Sequence, residues 1–113
     1  MTKTLLAAVT LLTTTSAHAL DYGAPSDANV NAVEMCQAYA EAGAIIRNLE
    51  YAEIAYEEAS VIVSSGLSQA PRWARVNVEG MVHGMYRGEL YAGMAPPEVR
   101  ETVGMECARD NGY

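Results

Sequence analysis

A chain of 113 residues, half of them hydrophobic, with fourteen acidic residues against seven basic ones and two cysteines, allows one small domain. Its formal charge of −7 excludes non-specific attraction to nucleic acid or to an anionic membrane surface as a driving force. The length also excludes a nucleotide-binding α/β domain joined to a substrate domain.

The amino end reads as an address. Met1-Thr2-Lys3 gives a short positive start, Thr4 to Leu12 an apolar run, and Ala17-His18-Ala19 a small-x-small cleavage pattern, which together predict a signal peptide over residues 1–19. The run is about half of the ~20 residues that span a bilayer, and no later segment approaches that length. The expected location is therefore periplasmic or secreted, with no membrane span in the mature chain. Removing 19 of the 113 residues leaves 94, with six arginines, no lysine, fourteen acids and His83 as the one histidine, a charge of −8.

An oxidising compartment favours pairing of Cys36 with Cys107. A redox motif would hold its cysteines two residues apart, and zinc would need a cluster of three or four ligands, so a structural disulfide is the expectation.

Helix signals dominate, and the expected fold is all-α: a small disulfide-linked bundle of three to four helices. Residues 20–30 read as an irregular, polar, Pro-bearing lead. Residues 31–66 read as one bent helix or a helix pair, with Val33, Cys36, Ala40 and Gly43 on the inner side and Glu34, Gln37, Glu41 and Asn48 outside. The inner stripe is expected to continue through Ile54, Val61 and Ile62, after a change of phase near Arg47 to Glu50 that suggests a kink or short loop. A linker from Gly66 to Pro71 leads to a Met- and Gly-rich helix over 72–94, whose expected face holds Ala74, Val78, Met81, Met85 and Ala92. Ala95-Pro96-Pro97 then breaks the chain, and a last helix over 97–110 carries Val99, Val103 and Cys107 at four-residue spacing.

Gly80, Gly84 and Gly88 would form a smooth strip on the third segment, where another backbone can come close. With Met81 and Met85 they form the candidate interaction face, either packed inside the monomer or serving as a homodimer contact. The ladder Arg75, Glu79, His83, Arg87 would hold one carboxylate–histidine pair, but no nucleophile accompanies it, and a solvated face of weak ion pairs is the plainer expectation. The acidic group Glu50, Glu53, Glu57 and Glu58 lacks the Asp/Asn-Gly loop of a calcium cage. No metal or cofactor is expected. Acidity is uneven: eight acids and one arginine lie in 21–66, six acids and five arginines in 67–113. A basic partner would be steered toward the first half.

In plan the chain resembles the periplasmic acid-stress chaperones, which are short, exported and helical, with one disulfide joining distant helices; Asn111 close behind Cys107 adds to the likeness. That resemblance implies a chaperone-like protein exposing an apolar helix face when its carboxylates protonate. A Cys36–Cys107 spacing wider than that family's carries no functional residues across. Small exported immunity and inhibitor proteins share the same plan. The expected function is a non-enzymatic exported binding protein of inhibitor, immunity or envelope-stress type, with the acid-activated chaperone as the alternative and a small hydrolase or metal-dependent enzyme third.

Overall fold

The computed structural model describes residues 20–113, and the expected signal peptide at 1–19 lies outside them. Four helices follow in order: α1 (Ala32–Tyr51), α2 (Tyr56–Gly66), α3 (Arg72–Tyr86) and α4 (Pro96–Asp110). Asn31 caps α1, its Oδ1 accepting from Glu34 N at 3.1 Å. At the start of α4 the Glu98 carboxylate reaches back to accept from Ala95 N at 2.8 Å, with proline in the first turn.

α1 is the central element. It packs along α4 on one side and against α3 on the other, while α2 lies mainly on α3. The α1–α4 contact is close because the facing stripe of α1 is small: Cys36, Ala40 and Gly43 are buried there, as are Val99, Val103 and Cys107 opposite. A Cβ on Gly43 would stand 2.9 Å from Val99 Cγ1 and 3.2 Å from Val103 Cγ2, so only glycine admits this approach. Cys36 and Cys107 are joined at the end of the same seam, with Cα atoms 5.5 Å apart.

Several expectations change. Val33 is half exposed, Val61 is exposed, and Ile62 is left 42% exposed toward α1, while Ala59 is the buried residue of α2. The phase change near Arg47 is not a kink. The helix runs on to Tyr51, and Arg47 is buried on the core side, its Nε 2.9 Å from Glu50 Oε1. The chain turns later, at 52–55, where Glu53 adopts φ 60° and Tyr86 donates its hydroxyl hydrogen to the Ile54 carbonyl at 2.8 Å.

The third helix stops at Tyr86 instead of running to 94. Gly88 takes φ +76° just past the end, a left-handed conformation that glycine adopts without a Cβ penalty. Glu89 N and Leu90 N then turn back to donate to Gly84 O at 2.9 and 3.2 Å, which leaves Ala92 exposed in the loop. Arg47 secures this loop by donating to the carbonyls of Met94 (3.2 Å), Leu90 (3.4 Å) and Tyr91 (3.1 Å).

The lead is irregular but tightly held. Tyr22 is fully buried, its ring tilted against Tyr39 at 5.1 Å between centroids. Its N–H donates to Asp110 Oδ2 at 3.0 Å and its carbonyl accepts from Asn111 Nδ2 at 3.0 Å, while Ala24 N donates to Asn111 Oδ1 at 3.2 Å. Its hydroxyl shares a 2.7 Å hydrogen bond with that of Tyr91, which donates to Glu106 Oε1 at 2.7 Å. Burial pushes both phenols well above the ordinary tyrosine value.

Candidate functional site

Two shallow grooves run along the side of α1 that α4 leaves free. One, of about 370 Å³, opens between the start of α1 and the α2–α3 connection, with Met35, Tyr39, Leu67, Trp73 and Ala74 among its walls. The other, of about 360 Å³, lies between α1 and α2, walled by Ile45, Ile62 and Val63. Ala38 and Leu67 border both, so the two grooves adjoin and together make an apolar channel beside α1 that spans Asn31 to Ile45, roughly 21 Å at the rise of a helix, with Ala38 and Leu67 at the junction. The helix pattern builds this channel directly. With one stripe of α1 turned to α4, the apolar residues out of phase with it, Met35 and Ile45, face the α2–α3 arm.

Ile45 is 48% exposed and Ile62 42%, large apolar side chains facing one another across a groove they do not fill. Tyr39 closes the inner end: burial pushes its phenol up, against the effect of the hydrogen bond that Asn77 Nδ2 donates to it at 3.0 Å. Acidic groups flank the channel. Glu34 and Glu41 line it, and Glu58 precedes Ile62 by one turn of α2. Glu41 also receives Arg100 of α4 at 3.0 Å in an exposed pair.

The residues singled out from sequence lie elsewhere. Met81 and Met85 are fully buried in the core and offer no surface. Gly80 sits 3.5 Å from the Leu20 side chain of the lead, Gly84 lies under Leu90 of the following loop, and Gly88 is off the helix altogether. The three glycines therefore form no continuous strip, and Gly84 already has its close neighbour within the chain. His83 and Arg87 meet at 3.3 Å on the exposed side of α3, and His83 lies edge-on to Tyr56 at 5.9 Å between ring centroids. Glu50 is drawn inward to Arg47, and partial burial raises its carboxyl against the opposing effect of that guanidinium; Glu53, Glu57 and Glu58 stay exposed. Among the described residues, no three His, Cys, Asp or Glu side chains gather closely enough to hold a metal ion, and no helix is long and apolar enough to cross a membrane.

Sequence reasoning missed the channel because it assigned Ile62 to the core and gave Ile45 and Trp73 no role. The readable signal was Ile45, which sits two residues from Gly43 and so cannot share its face. Compared with known protein families, curated proteins and solved structures, the chain matches none of them.

Proposed function

We propose that this is a small exported, non-enzymatic binding protein of inhibitor, immunity or envelope-stress type, and that the channel between α1 and the α2–α3 arm is its binding surface. One observation carries the reading: Ile45 and Ile62 stand half exposed on the walls of the apolar groove between α1 and α2. Leaving such surface open to water forgoes roughly 25 cal/mol per Å² of stabilisation that a bound partner would restore. The address-like residues 1–19 and the Cys36–Cys107 bridge support export.

Two measurements test this. Intact mass of the exported protein should correspond to a chain starting at Leu20 with no free thiol. A photo-activated cross-linking residue at position 45 or 62 should then trap a defined partner in cells, while the same residue at Met105, exposed on α4, should not. Equal trapping at all three positions, or a retained amino terminus, would count against the reading.

The acid-activated chaperone keeps one observation in its favour. Carboxylates hold the lead and its tyrosine partner, Asp110 on Tyr22 N and Glu106 on the Tyr91 hydroxyl, so protonation would weaken both contacts. Glu50 works the other way. Its raised carboxyl takes up a proton more readily in the folded chain, so acidification stabilises the fold at that site. Dye binding to apolar surface at pH 3 and pH 7 separates the readings: a large acid-dependent rise favours the chaperone.

A further inference from the structure

We infer that the channel takes a cationic amphipathic helix of about four turns from another protein, a reading that rests on the binding role proposed above. Length, lining and charge each contribute. From Asn31 to Ile45 the channel is roughly 21 Å long, the rise of about fourteen helical residues. Its lining is mostly apolar, and Met35 and Trp73 at one end offer an adaptable side chain and a flat ring, suited to the apolar stripe of a helix laid into a groove.

Charge selects the class of helix. The half of the chain that supplies most of the lining, residues 21–66, contains eight acids and one arginine. That arginine, Arg47, is 7% exposed and committed to three loop carbonyls and Glu50, so it neutralises nothing at the surface. Glu34 and Glu41 therefore line the channel, and Glu58 stands one turn before Ile62 on α2, with no competing cation from their own half of the chain. Arg100 reaches Glu41 from α4, but both side chains are about half exposed, and a pair of that kind exchanges easily for another. Arg72 and Arg75 stand beside Trp73 at the other end, so the partner's cations belong at the Glu41–Glu58 end. A second copy of this chain is a poor occupant: it has no lysine after residue 19, and it would bring a further acidic surface against the same carboxylates.

The test uses the mature, oxidised chain and two synthetic helical peptides of about fourteen residues with the same leucine stripe, one flanked by lysines and one by glutamates. Three exposed carboxylates should favour the lysine peptide by about tenfold at low salt, with the difference shrinking as salt is added. The triple variant Glu34→Gln, Glu41→Gln, Glu58→Gln should bind both peptides alike. Ala38→Trp, filling the point where the two grooves meet at an exposed position, should weaken both by tenfold or more, and Ala42→Trp provides a second plug should the first fold poorly. Equal binding of the two peptides by the parent, or unchanged binding by a folded plug variant, overturns the inference. If cross-links form at Ile45 while neither peptide binds, the cationic class is wrong and the binding role stands; if both fail, both are wrong. A parent chain that doubles in mass with concentration, and an Ala38→Trp variant that does not, would make a second copy the occupant instead.

Discussion

Leu90 lies directly over Gly84. A Cβ built on Gly84 would stand 2.7 Å from Leu90 Cγ and 2.5 Å from Cδ1, closer than real Cβ atoms come to their neighbours. The glycine is what allows the α3–α4 loop to fold back onto the helix it has just left, and the next glycine in the series, Gly88, supplies the left-handed residue that starts the return.

Gly84→Ala should therefore destabilise the protein by roughly 1–3 kcal/mol, although alanine is the better helix former by about 1 kcal/mol. Urea melts of Gly84→Ala, Leu90→Ala and the double variant give the coupling. The two single losses should sum to more than the double, and simple additivity would mean the contact is unimportant. Gly88→Ala meets open space but keeps φ +76°, so it should cost about 1 kcal/mol through backbone strain alone.

Arg47 is the buried charge that fastens the same loop. Replacing it with methionine fills a similar volume but strips hydrogen bonds from three carbonyls and leaves Glu50 facing a less polar site. A loss of roughly 3–5 kcal/mol is expected in chemical denaturation. Arg47→Lys should recover only part of it, because one ammonium cannot reproduce a planar fork with separate donors. Full recovery by lysine would mean that charge alone holds the loop.

Closing a 71-residue span, the Cys36–Cys107 bridge should contribute about 4 kcal/mol. The parent with and without reductant, and the double Cys→Ala variant, should give matching losses of denaturation midpoint. A reduced chain as stable as the oxidised one would remove the bridge from the list of structural supports.

Alkaline pH probes the Tyr22–Tyr91 pair. Burial raises both phenols, so each keeps its proton in the folded chain at pH values where the unfolded chain has lost it. The stability they contribute is complete below about pH 10, the ordinary tyrosine value, and is lost progressively above it. Phenolate absorbance should show a late phase in which Tyr22 and Tyr91 titrate only as the chain unfolds. In Tyr22→Phe, the late phase should be smaller by one phenol.

Much of the architecture was legible from residue spacing. Val99, Val103 and Cys107 at four-residue intervals identified the inner face of α4, and Cys36 with Ala40 and Gly43 the face of α1 that meets it. What failed had a common cause. A one-dimensional pattern treats a polar residue as outward, so Arg47 read as a kink when it is a buried donor whose acceptors lie more than forty residues away. It also treats evenly spaced glycines as one surface, whereas Gly84 and Gly88 serve a chain reversal set by φ angles that spacing does not encode. The channel was hidden for a related reason: Ile62 counts as core on any hydropathy scale, and only the position of α2 leaves it half in water.

The pairing of α1 with α4 also fixes an order of events. The face of α1 around Gly43 has nothing to pack against until Val99 and Val103 arrive, the lead cannot dock until Asp110 and Asn111 are present, and Cys36 has no second thiol within the chain before Cys107. A chain made from its amino end therefore completes the other three described helices first, and neither this core nor the bridge can close until residues 96–110 are present.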